Sequence, residues 1–312
     1  MYWEMKATNL VDVVISVYGK PYQTAVTLKS LLKHSGQWID KIYFVEEYKQ
    51  PHGESFEFIK AHLGSRLVYY RPKVWWFYRN QLEWRYLFTL PVFRHSIRYQ
   101  YGWEKSDKDF LLLIHNDMYI SGDIVGSYLD QIGGHIGIGK IGQCWNCSAY
   151  KAQKCEGAQY LKFRPDQNER DELFAKYPPL EARALIHQAF CNQKEPSWPL
   201  PECRLNEFIT LINLKMARPL VWPYGQARPI GLFQFETGVQ WFRDMLARGY
   251  YPKHMDYEGM ATHGWASSQG SGHGALFNGD IYQEEEERAR QVLSSEFGME
   301  IPDSYLSAGL RK

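Results

Sequence analysis

VDVVISVYGKPYQTAVTLKSLLKHSGQWIDKIYFV, residues 11 to 45, carries a β-branched run, a turn, an amphipathic segment and a second apolar run, in that order. The Val- and Ile-rich residues 11 to 18 read as a strand. Gly19 suits a turn, and Pro21 suits the first position of a helix, where its missing N–H costs nothing. Leu28, Leu31 and Leu32 recur at helical spacing, Gly36 closes the segment, and Lys41 to Val45 is apolar again. The stretch is a β-α-β unit.

The same alternation continues outward. A second amphipathic stretch, Ser55 to Leu63, leads through Gly64 to Leu67–Tyr70, and a helical stretch from about Gln81 to Tyr101 leads to the apolar run ending at Ile114. Strands alternating with helices predict an α/β fold, a mostly parallel sheet with helices on both faces. From about Gly133 to Pro229 the alternation fades and Gly, Pro and Cys become frequent, so loops and short elements are expected there. Val239, Phe242, Met245 and Leu246 mark a late helix with Gly249 behind it. A last helix is expected over Gln283–Phe297, with the glutamates at 284 to 287 at its positive end. We read one large domain in three stretches: 1–120, 121–278 and a C-terminal helical segment, 279–312.

With 36 Lys+Arg against 35 Asp+Glu, the chain has no clustered cationic excess to neutralise a polyanion, which argues against nucleic acid as its main partner. No window approaches the roughly 18 to 20 continuous apolar residues of a membrane span. The start, MYWEMKATNLVDVV, lacks a basic region followed by an apolar core, so a cytoplasmic protein is expected, with peripheral membrane contact left open. Aromatic residues reach 16%, more than core filling usually requires, and hint at a surface that takes flat, hydroxyl-rich or lipid-like molecules.

DFLLLIHNDMYISGD, residues 109 to 123, is an apolar strand that stops at His115, Asn116 and Asp117. Ligands of open α/β sheets bind beyond the carboxyl ends of such strands. An imidazole and a carboxylate two residues apart suit a divalent cation that also holds diphosphate oxygens, and they equally suit a simple turn. Read as a solvent-facing strand end, Asp117 would contribute little to stability.

These features resemble the family 2-like glycosyltransferases of GT-A fold. The resemblance is carried by VVISVYGKP with its helix, YFVEE, RHSIRYQYGWEKSD leading into FLLLIHND, and the later order FETGVQWFRDMLARGY then HGWASS. It implies Mn²⁺ or Mg²⁺ bound by Asp117 and His263, with His115, at the position of the family's first aspartate, as a ribose or metal contact. It implies a nucleotide-sugar site with Val17, Tyr18 and Glu46 at the base and ribose, Asn116 beside them, and Arg94 and Arg98 toward the diphosphate. Glu236 is the first candidate for the base that deprotonates an acceptor hydroxyl, and Glu207, read as preceding an apolar helix, is the second. The expected reaction is transfer with inversion from a nucleotide-diphosphate sugar, UDP-sugar favoured, to a glycan or lipid-linked acceptor in polysaccharide synthesis. His263 opens a Gly- and Ser-rich stretch to His273 that reads as a lid, and Trp265, Trp75, Trp76 and Tyr78 read as aromatic platforms.

Two motifs stand outside this reading. Gly137–Gly142 satisfies G-x-G-x-x-G, but QCWNC follows where a helix should, which argues against a dinucleotide site. Cys144, Cys147, Cys155 and Cys203 offer a structural Zn²⁺ site with one Cys-x-x-Cys, against a plain reading as free buried thiols. Two alternatives compete with the transferase. A sugar nucleotidyltransferase would need a richer phosphate loop than SVYGKP, and a non-catalytic carbohydrate-binding or cysteine-metal module would not need the strand-end Asp, late acid and late His in that order.

Overall fold

The computed structural model describes residues 10–52, 55–74, 88–192, 196–233, 235–268, 275 and 277–301. Nine strands are described, β1 Val11–Val17, β2 Ile39–Glu46, β3 Leu67–Tyr70, β4 Phe110–Ile114, β5 Met118–Ile120, β6 Gly137–Ile141, β7 Leu205–Asn213, β8 Lys253–His254 and β9 Ala261–His263. Seven of them form one sheet in the order β3-β2-β1-β4-β7-β6-β8, and β5 pairs with β9 separately. Every neighbour in the large sheet is parallel except across β7, which runs antiparallel to β4 and to β6. The mostly parallel α/β sheet expected from the sequence is the one observed.

Alternating side chains of the central strands feed two cores. Val11, Val13, Ile15, Leu112, Ile114, Ile209 and Leu211 pack with residues of the helices Pro21–Ser35, Ile124–Ile132 and Gly279–Phe297. On the opposite face, Val14, Leu111, Leu113, Leu205 and Ile212 meet Trp103, Trp241, Phe242 and Met245 of the helices Gln100–Lys105 and Val239–Ala247. Burial on both faces explains why these strands read as continuous apolar runs.

Two expectations are corrected, for Glu207 and for the stretch before β4, and the rejected Gly137–Gly142 motif finds its place in the sheet. Glu207 does not precede a helix: LNEFITLIN is β7, a strand buried on both faces, whose apolar run is the same for strand and buried helix. Gly137–Gly142 contributes β6, where Gly139 lets β7 approach, since a Cβ there would lie 2.8 Å from Oγ1 of Thr210. The helical stretch expected before β4 is, in its described part, two short helices, Pro91–Arg94 and Gln100–Lys105, broken at Tyr99 with its positive φ of 66°.

The C-terminal helix runs Gly279–Phe297, starting where the C-terminal stretch was set and ahead of Gln283, with Asn278 Oδ1 accepting from the backbone N–H groups of Asp280 and Ile281. Of its glutamates, Glu285 and Glu286 are buried. Glu286 accepts hydrogen bonds from the backbone N–H of Tyr22 at 2.7 Å and of Gln23 at 3.3 Å. It thereby caps the first turn of Pro21–Ser35, which has no acidic residue of its own.

Burial pushes the Glu286 carboxyl up to about 7, outweighing those two hydrogen bonds. A carboxyl raised above its ordinary 4.5 keeps a proton in the folded state that the unfolded chain releases. Its contribution is therefore full below pH 4.5 and is lost as pH rises through about 7. Glu286→Gln cannot ionise and still offers an oxygen to the helix end. Urea unfolding should show wild type losing about 1–3 kcal/mol relative to this variant between pH 5 and pH 8; a difference independent of pH would refute the assignment.

Candidate metal centre

The parallel order reverses between β1 and β4, since β2 lies on one side of β1 and β4 on the other. The carboxyl ends of both strands open into this switch point, where open α/β sheets bind ligands. From β1 comes the turn Tyr18–Lys20, and from β4 come His115, Asn116 and Asp117. Antiparallel β7 brings its start beside them, as the His115 N–H donates to the carbonyl of Phe208 at 2.9 Å. The β5–β9 pairing sets Met118 opposite His263, and the Gly264 N–H donates to the carbonyl of Asp117 at 2.9 Å.

Asp117 is the centre of the cluster and is buried, with 7% of its side chain exposed. Its Oδ2 accepts from Nζ of Lys20 at 2.8 Å. Its Oδ1 lies 3.2 Å from Nε2 of His263 and 4.0 Å from Nδ1 of His115, and no hydrogen bond of good geometry reaches it. Burial pushes this carboxyl up, but Lys20, His263 and His115 outweigh it and hold Asp117 well below the ordinary carboxylate range. Behind His115, Glu207 Oε1 stands 3.7 Å from Nε2, and Phe208 stacks on His263 with ring centroids 3.7 Å apart. Burial likewise pushes Glu207 up, yet His115 and the charge of Arg204 bring it below its ordinary value.

One ligand atom from each of His115, Asp117 and His263 lies within 4.8 Å of the others. An ion about 2.1 Å from N and O donors sets neighbouring donors about 3.0 Å apart and opposite donors about 4.2 Å apart. The separations of 3.2 and 4.0 Å match that spacing, and the free lone pairs of Oδ1 supply the anionic donor. Two imidazoles and one carboxylate favour Mn²⁺ over Mg²⁺, which prefers all-oxygen coordination.

The other residues singled out in the sequence are placed less centrally. Asn116 braces the turn, donating to the carbonyl of Gly19 at 3.0 Å and to Oγ1 of Thr24 at 3.2 Å. Val17 is core and Tyr18 is half-buried at the strand end. Glu46 accepts from the Tyr69 hydroxyl at 3.0 Å and lies near Lys60 and Arg71. Arg98 pairs with Glu47 at 2.9 Å and keeps 41% of its side chain exposed. Arg94, expected to reach a diphosphate, is buried on Glu104, which His95, Arg94 and Gln100 hold at about 2 against its burial. Glu236 pairs with Arg183, which also holds the fully buried Glu202.

Cys147, Cys155 and Cys203 pack in an apolar cluster with Leu173 and Leu200, and among the described residues no group of three potential ligand atoms that includes a cysteine sulfur lies within 4.8 Å. Burial pushes the Cys147 thiol up to about 12. His263 is the last residue of β9, residues 269–274 of the stretch read as a lid lie outside the described residues, and Trp265 packs against Tyr119 at 5.7 Å. His273, Trp75, Trp76 and Tyr78 lie outside the described residues. Beside His263 is an open cavity of about 580 Å³ lined by Trp145, Phe208, Tyr257, Glu258 and Thr262 among others. Lys20, which the sequence offered only as part of a poor phosphate loop, is the site residue that no motif signalled.

No family model matches the chain, and no curated protein matches it. Among solved structures it is similar to glucosyl-3-phosphoglycerate synthase from Mycobacterium tuberculosis in complex with Mn²⁺, UDP and phosphoglyceric acid. That match has 12% identity and a TM-score of 0.45, over 96% of this chain and 81% of that one. It is also similar to the same enzyme with Mn²⁺, UDP-glucose and glycerol 3-phosphate, at 11% identity and a TM-score of 0.43 over 96% and 83% of the two chains. With Mg²⁺ and UDP the values are 10% and 0.41, over 89% and 81%. At these values the functional reading rests on the geometry of the site. Among the described residues no helix is long and apolar enough to cross a membrane.

The burial of Asp117 changes what its replacement should do. Asp117→Ala leaves the Lys20 ammonium, only 5% exposed, without its counter-charge, a loss worth about 3–5 kcal/mol for a buried pair. Urea denaturation should show a drop of that order and partial recovery in the Lys20→Met/Asp117→Ala double variant. A fully stable Asp117→Ala protein would mean that solvent screens the pair.

Proposed function

We propose that this protein is a metal-dependent glycosyltransferase that moves a sugar from a nucleotide-diphosphate sugar, with a UDP-sugar favoured, to an acceptor hydroxyl. The observation that carries the reading is the His115–Asp117–His263 cluster at the switch point of a mostly parallel sheet, with an ion-sized spacing around a carboxylate oxygen that accepts no hydrogen bond. A divalent cation held there would neutralise the charge that develops on a departing diphosphate. In this reading residues 1–120 form the donor side, 121–278 the acceptor side, and the C-terminal helix braces the donor side through Glu286 and Tyr282. The cavity beside His263, with the half-exposed Trp145, is the place for a carbohydrate or lipid-linked acceptor. Inversion, a cytoplasmic location and a part in polysaccharide synthesis belong to this proposal through the resemblance alone.

The two acid–base candidates take different roles. Glu236 is engaged by Arg183 and is a structural partner. Glu207 stands behind His115, where a carboxylate fixes the tautomer and ring orientation of a metal-binding imidazole so that Nδ1 faces the ion. It is a positioning residue in this reading.

Two measurements test the reading. A thermal-shift series with UDP should show stabilisation that requires Mn²⁺ and is weaker with Mg²⁺, because a ligand that binds only the folded state raises its stability by mass action. UDP stabilisation that ignores the metal would sink the metal-dependent transferase. Glu207→Gln should weaken Mn²⁺ binding by about 10- to 100-fold, whereas Glu236→Gln should leave it unchanged. If Glu207→Gln binds Mn²⁺ and UDP normally but loses turnover, Glu207 is the base and not a positioning residue.

A further inference from the structure

Lys20 occupies a backbone position that suits glycine. Its φ of 59° follows a φ of 64° at Gly19, so two successive residues are left-handed, and a lysine there bears a steric cost that glycine would avoid. The turn is pinned on every side. The Lys20 N–H donates to the Tyr282 hydroxyl at 2.7 Å, the Lys20 carbonyl accepts from the Thr24 hydroxyl at 2.6 Å, and Asn116 holds the carbonyl of Gly19. The backbone cost and the pinning serve one visible end, which is to bury the ammonium on Oδ2 of Asp117.

The two oxygens of Asp117 are thereby divided: Oδ2 faces Lys20, and Oδ1 faces the two histidines. We propose that Lys20 is a built-in counter-cation that makes divalent-metal binding at His115, Asp117 and His263 depend on a nucleoside diphosphate. This deepens the metal reading given above and rests on it. With Lys20 in place the Asp117 charge is already matched, Glu207 behind His115 feels the opposing charge of Arg204, and the two imidazoles bring no negative charge, so the donor set has little net attraction for a doubly charged ion. A diphosphate brings the missing negative charge, and it meets both the metal and the fixed ammonium. Free metal then binds weakly, and the metal–diphosphate pair binds well. Linkage makes the effect reciprocal, so the metal tightens diphosphate binding by the same factor.

Calorimetric titration of the apoprotein with Mn²⁺, alone and with saturating UDP, tests this without any turnover. In wild type UDP should tighten Mn²⁺ binding at least tenfold. Lys20→Met should bind Mn²⁺ alone at least tenfold more tightly than wild type, with a smaller further gain from UDP, and Lys20→Arg, which keeps the charge, should behave as wild type. If Lys20→Met fails to fold, Lys20→Gln replaces it, or Lys20→Gly, which suits the left-handed backbone at this position. Mn²⁺ affinity in wild type that UDP does not change overturns the proposal, as does unchanged or weaker Mn²⁺ binding in the uncharged variants. Those results leave the metal centre intact provided Asp117→Asn abolishes Mn²⁺ binding. Mn²⁺ binding to none of these proteins, even with UDP, overturns the metal centre and the role of Lys20 together.

Discussion

The buried ion pair of Lys20 and Asp117 is the constraint around which the functional edge of the sheet is arranged. It joins the turn after β1 to the end of β4 across the switch point, and either charge left there alone would cost stability, about 3–5 kcal/mol. Asn116 braces the same turn, Tyr282 reaches it from the C-terminal helix, and Gly264 ties the backbone of Asp117 to the strand that carries His263. An ion pair of this kind is weak evidence for stability but strong evidence for geometry, since it leaves one carboxylate oxygen committed and one available.

A second constraint is the antiparallel β7 between β4 and β6. A parallel strand in that place would present its start at the far edge of the sheet. Running the other way, β7 delivers Glu207 and Phe208 to the end of β4, where one stands behind His115 and the other stacks on His263. The two histidines are thus oriented from behind by groups that belong to one dipeptide. Orientation of metal-binding imidazoles by such outer partners is common in metal sites.

Many charges near this edge have structural partners. Arg94 with Glu104, Glu236 with Arg183, and Glu46 with Tyr69 are each engaged locally. A buried charge needs a partner wherever it lies, so residue type and rough position do not separate a catalytic carboxylate from a structural one. Buried carboxylate oxygens without a hydrogen bond also occur at Glu207 and Glu285, so what sets Asp117 apart is that its open Oδ1 lies among two imidazole nitrogens at ligand spacing.

The sheet class was legible because β1, the helix Pro21–Ser35 and β2 are contiguous and read differently, the strands as continuous β-branched or apolar runs and the helix as leucines at helical spacing. The apolar run ending in His115-Asn116-Asp117 also marked a strand end, since its last residues change from aliphatic to polar at one point. β7 was not legible, because LNEFITLIN is buried on both faces and periodicity cannot tell such a strand from a buried helix. The role of Lys20 was not legible either: its partner is 97 residues away in sequence, and its left-handed backbone leaves no mark in residue type. The sequence by itself determined the parallel part of the sheet, β1 to β4, and where one strand ends in potential ligands. Tertiary structure alone decided which charges face one another, because pairing of buried charges depends on distances that only the closed sheet and its crossing helices set.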